Sequence, residues 1–133
     1  MSQQKNEEVQ RLIKDLRSGT LTGAGLRRAI LLLGEIGSEK AVPHLIAKLT
    51  YNDPVVRENA VHALGNIKKK LLEKGERIGP NHPELYALNH ISPNEHPKSF
   101  NQLLKLLKKG KNKYEKNWEL EAKELMALER RLK

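Results

Sequence analysis

The sequence predicts an all-α protein: a short α-solenoid of stacked helical hairpins with capping helices at its ends. Apolar residues recur at i, i+3, i+4 and i+7 in one segment after another, the period of an amphipathic helix. No run alternates apolar with polar residues, and aromatics make up only 4% of the chain, so strand signals are missing. A shift of 31 residues places Ala29-Ile30 on Ala60-Val61 and Leu33-Gly34-Glu35-Ile36 on Leu64-Gly65-Asn66-Ile67. A repeat of that period implies helical units that bury their apolar faces on one another.

Each element has its own local warrant. Val9, Leu12, Ile13 and Leu16 form the stripe of a first helix, and Gly19 supplies its stop. A second helix over 22–36 carries Ala29-Ile-Leu-Leu-Leu33, apolar around most of its circumference, and ends at Gly37. Ser38 helps to open a third, with Ala41, Val42, Leu45, Ile46 and Leu49 on one stripe. Pro43 must lie near its start, because deeper in a helix the ring removes a backbone bond and clashes with the preceding turn. Asp53 is a good N-cap and Pro54 suits the first helical position. The helix they open presents Val56, Ala60, Ala63, Leu64, Ile67 and Leu71 inward.

Four prolines mark residues 80–97 as an irregular insertion around one short helix near 84–89. Phe100, Leu103, Leu104 and Leu107 follow on another helix, which Gly110 ends. A C-terminal capping helix is expected over 113–132, with Tyr114, Trp118, Ala122, Leu125 and Leu128 along one side. With 133 residues the chain is read as one domain. Gly34 and Gly65 both fall inside helices, where glycine costs up to about 1 kcal/mol relative to alanine. Close approach of a neighbouring helix is the physical reason expected at both.

Asp53-Pro-Val-Val-Arg57, followed by Ala60, Ala63, Leu64-Gly65 and Ile67, resembles the first helix of a HEAT repeat. Ala41-Val-Pro-His-Leu45 resembles its second helix, in the version also found in the phycobilisome lyase group. The resemblance covers about residues 22–72. It implies that Asp53 and Arg57 bridge adjacent repeats, that the second helices line a binding surface containing His44 and Lys48, and that chromophore handling is a remote alternative. The earlier unit departs from the pattern, with Leu26 at the position of Arg57 and Gly23-Ala-Gly25 in place of the Asp-Pro-Val lead.

Catalytic signals are lacking. There is no cysteine, hence no thiol nucleophile or thiolate metal site. No serine has a glycine-elbow context, and Gly23-x-Gly25 does not follow a strand. His82, His90 and His96 are spaced by eight and six residues, which does not place them on one helical face. Neither a catalytic residue, nor a metal, nor a cofactor is expected.

Charge is the stronger signal. The chain carries a net charge of +9, most of it in the second half. Lys68, Lys69 and Lys70 end the best repeat helix, and Lys105, Lys108, Lys109 and Lys111 surround the last inter-helix turn. Lysine strongly outnumbers arginine with no interleaved aromatics, which disfavours bidentate base readout or base stacking. Solvation of helix ends is the plain alternative. Trp118, the single tryptophan, serves either the core or a partner.

The function expected is therefore that of a non-catalytic protein-binding adaptor, scaffold or assembly factor. Its partner would be another protein, an acidic surface being one that the charge suits, with nucleic-acid binding through the lysines as the alternative. The longest apolar run, Ala29–Leu33, is far too short to span a bilayer. The sequence shows no basic start followed by an apolar segment, so the expected location is the cytoplasm.

Overall fold

The computed structural model describes residues 2–109 and 116–132. Seven α-helices and no strand are found among them: α1 Ser2–Ser18, α2 Gly23–Ile36, α3 Val42–Ala47, α4 Pro54–Glu73, α5 Pro83–His90, α6 Pro97–Lys108 and α7 Trp118–Arg131. Short 3-10 turns, Glu39–Ala41 and Lys48–Thr50, flank α3. The expectations at Gly110, Lys111, Lys113 and Tyr114 lie outside the described residues. The chain divides into two compact units, 1–76 and 77–133.

In the first unit α2 packs on α4, α3 on α4, and α1 on α2 and more lightly on α3. The buried set follows the predicted stripes: Val9, Leu12 and Leu16 of α1, Ala29, Ile30 and Leu33 of α2, Val42 and Leu45 of α3, and all six inward residues of α4. Asp53 caps α4 as expected, accepting a hydrogen bond from the Val55 amide at 2.9 Å. Pro54 follows at a position whose N–H would have no helical partner. Gly37 ends α2 with a φ of 76°, a left-handed conformation that favours glycine.

The two repeat glycines part company. A Cβ on Gly34 would lie 2.7 Å from the Cα and 2.8 Å from the Cβ of Ala63. Here α2 and α4 touch through backbone, and only glycine fits. A Cβ on Gly65 would meet nothing within 4 Å, and the residue is exposed. The expectation of a close approach at Gly65 is thus corrected. The contact at Gly34 comes from the first helix of the following repeat. A third copy of that helix would fall near residues 85–104, where Pro93 and Pro97 break the pattern. Gly65→Ala is therefore expected to raise stability by up to about 1 kcal/mol through helix propensity alone, read from the midpoint of a urea titration.

In the second unit α5 packs on α6 and α6 on α7. The predicted short helix in the 80–97 segment is α5, one residue longer at each end than expected. The last helix begins at Trp118, not at 113, because Asn117 is non-helical and accepts a hydrogen bond from the Leu120 amide at 3.1 Å, an N-cap. Leu85, Ala87, Ile91, Phe100, Leu103, Leu107, Trp118 and Ala122 are buried.

Glu129 of α7 is buried as well, a charged residue among apolar ones. Its Oε1 accepts the Ser99 amide at 2.7 Å and lies 2.5 Å from the Ser99 hydroxyl. That hydroxyl is also 3.0 Å from the Leu125 carbonyl. His96, the residue at the N-cap position of α6, gives no side-chain cap. Glu129 thus supplies from a neighbouring helix the acceptor that the first turn of α6 lacks.

Candidate partner-binding surface

The conformation of the 38–50 segment follows from its sequence. Ser38 precedes a 3-10 turn, Pro43 occupies the first turn of α3, and Val42, Leu45 and Leu49 point into the core. Pro43, His44, Ala47 and Lys48 are left on the outer side, half-buried or exposed. The Lys48 ammonium lies 5.1 Å from the centre of the Tyr51 ring, a cation–π contact that fixes the end of this surface.

His44 and Arg17, an exposed residue in the last turn of α1, are close enough to interact electrostatically. Burial, and secondarily the Arg17 charge, lowers the His44 pKa below its ordinary value. Ile13, Lys14 and Arg17 line an open depression beside it with Gln10 and Ser18. The depression thus lies on α1, with Lys14 and Arg17 beside the half-buried Ile13 and with Arg17 directed toward the α3 side. The folded state favours neutral His44, so its contribution is fully present above the unfolded pKa of about 6.5 and is lost as pH falls through the lower folded value. Stability measured against pH should decline over that window, and His44→Gln should flatten the decline.

The residues assigned to inter-repeat bridging are partly reassigned. Asp53 does reach the preceding repeat, but through Arg27, at 3.9 Å between half-exposed groups. Such a pair contributes about 0–1 kcal/mol. Arg27 follows directly on Leu26, the residue that aligns with Arg57, so the bridge shifts by one position. Arg57 itself donates to the Tyr51 carbonyl at 2.7 Å and fastens the loop that enters α4.

The lysine clusters separate into different roles. Lys70 is not an outward contact residue: its Nζ donates to the Glu35 carbonyl, and its stem passes over Gly37. It satisfies one of the carbonyls left without a helical donor at the end of α2, where the helix dipole favours a cation. Lys69 is exposed and Lys68 half-buried. Lys108 pairs with Glu84 of α5 at 3.2 Å, while Lys105 on α6 and Lys109 at its C-cap are exposed. Lys111 lies outside the described residues. Trp118 is only 5% exposed, which withdraws it from a partner surface; Lys116 lies 5.4 Å from the centre of its ring.

The three histidines of the 80–97 segment have separate surroundings. His90 meets Tyr86 edge-on at 4.7 Å, His82 Nδ1 lies 3.1 Å from Asn81 Oδ1, and the half-buried His96 has a buried Nδ1 with no hydrogen-bond partner. Sequence reasoning missed Arg17 and Arg27, because only the packing of α1 and α4 on α2 and α3 gives them partners. It also missed Glu129, whose sequence context reads as an exposed helix end.

The family model for HEAT repeats matches residues 9–74, essentially the first unit with most of α1. Paired helices in register, a 31-residue period and a glycine seated on the next repeat define a helical-repeat protein. Residues 9–74 are thus a HEAT-repeat segment. The match is to HEAT repeats in general, without the phycobilisome-lyase qualifier. No curated protein and no solved structure matches the chain significantly. HEAT repeats commonly mediate protein interactions and are generally non-catalytic. Among the described residues no helix is long and apolar enough to cross a membrane.

Proposed function

We propose that the protein is a non-catalytic adaptor or assembly factor whose α1–α3 face takes up an acidic, partly apolar segment of another protein. The observation that carries this reading is the placing of Lys14 and Arg17 around the Ile13 depression of α1, with His44 of α3 within electrostatic reach of Arg17 and Lys48 at the C-cap of that helix. The Lys14, Arg17 and Lys48 cations near the half-buried Ile13 suit a ligand with carboxylates beside an apolar anchor. The family's use of repeat surfaces for protein interaction supports the same reading.

The nucleic-acid alternative leans on the lysine clusters. Two of their members, Lys70 and Lys108, are engaged within the protein. That leaves fewer cations for a phosphate track and favours the protein partner.

The test is a pull-down from native extract with nuclease present, comparing the wild type with Arg17→Glu/Lys48→Glu. Protein bands that survive nuclease and disappear with the double reversal support the reading. Bands unaffected by the reversal, or recovery of nucleic acid alone without nuclease, would count against it.

A further inference from the structure

The internal repeat allows equivalent positions to be compared inside one chain. Ile30 and Gly34 of α2 correspond to Val61 and Gly65 of α4. The first pair is covered: Ile30 is 0% exposed, and Gly34 receives Ala63 of α4 at backbone contact. The second pair carries the same surface uncovered, with Val61 58% exposed, Gly65 open, and Leu72 on the same side 51% exposed. Val61, Gly65, Lys68 and Leu72 follow one another at i, i+4, i+7 and i+11, a single ridge. A helix face left open to water is normally polar; this one presents valine, leucine and a groove-forming glycine.

From this we infer that the outer face of α4 is a second docking site, distinct from the α1–α3 face, and that its occupant is an acidic amphipathic helix of a different protein with a small residue opposite Gly65. Two observations choose the occupant. Charge is the first: the exposed Lys69 stands beside the ridge, so carboxylates on the incoming helix complement it, whereas a second copy of a chain at +9 brings more positive charge. Size is the second. In the contact already present, Ala63 meets the glycine. A second copy has its own Ala63 engaged on Gly34, and its α2 offers Leu32 at the equivalent position. A leucine there holds the two helices apart.

The experiment uses the full chain and a labelled peptide of residues 54–73 carrying Lys68→Glu, Lys69→Glu and Lys70→Glu, which retains Ala63 and reverses the charge. Fluorescence anisotropy should show saturable binding. Gly65→Leu in the protein should weaken it by about tenfold or more while the melting temperature holds or rises, because that side chain enters open space. Ala63→Leu in the peptide should weaken it similarly. Absence of saturable binding, or equal affinity for wild type and Gly65→Leu, would overturn the inference. So would a sedimentation profile in which the wild type is a dimer and Val61→Glu a monomer, since the occupant would then be a second copy. A large loss of thermal stability in both Gly65→Leu and Val61→Glu would overturn it too, because the face would then be covered within the protein itself.

Discussion

Gly34→Ala should destabilise the protein by about 1–3 kcal/mol, the usual cost of forcing extra atoms into a packed contact. The added methyl would meet the Cα and Cβ of Ala63 at less than 3 Å. Those atoms belong to a long helix and have no rotamer in which to retreat. Relief requires α2 and α4 to separate, which also loosens Ile30, Leu33 and Ile67, buried between the same elements. For a unit of this size the loss corresponds to a drop of several degrees or more in melting temperature. Calorimetry on Gly34→Ala beside Gly65→Ala would be decisive, since the two changes are chemically identical and opposite in expected sign. Equal shifts would refute the packing account.

The second large effect is expected at Glu129. Glu129→Leu removes the acceptor of the Ser99 amide and the carboxylate beside the Ser99 hydroxyl, and leaves the N-terminus of α6 uncapped. A buried donor left without a partner costs roughly 1–3 kcal/mol. Glu129→Gln keeps an oxygen for the amide and should cost distinctly less. Chemical denaturation of both variants checks the ordering; a leucine variant as stable as the wild type would show that the buried carboxylate is merely tolerated.

What could be read from sequence was whatever nearest neighbours determine. Asp53-Pro54 announces the start of α4, the spacing of Val56 to Leu71 marks its buried face, and Gly37 marks the end of α2. Each depends on a few adjacent residues and on the helical period alone. Gly65 failed for a different reason: the repeat made it look like Gly34, but a repeat fixes a residue's place in its own unit and says nothing of whether another unit follows. Lys70 sits in a run of three lysines that composition treats alike, and only the position of the α2 terminus selects it. Arg17 and His44 lie 27 residues apart and become neighbours only when α1 lies beside α3. The helical spacing of the Trp118 stripe favours the core without excluding a partner surface, and the burial of Trp118 in a unit where α6 packs on α7 decides it.

The contact scheme of the first unit also has a kinetic consequence. Its helices touch partners one or two elements away in the chain, the most extensive pairing being α2 with α4. No distant loop must close before apolar surface is buried, and chains of such low contact order fold in microseconds to milliseconds. The α2–α4 pair, with the Gly34 contact at its centre, is the natural nucleus, and α1, held mainly by α2, is the element added last. Opened from the native side, the order reverses. Amide hydrogen exchange should therefore be fastest in α1 and slowest around Ile30, Leu33 and Ile67, so the α1 half of the basic face detaches first while the α2–α4 pair persists.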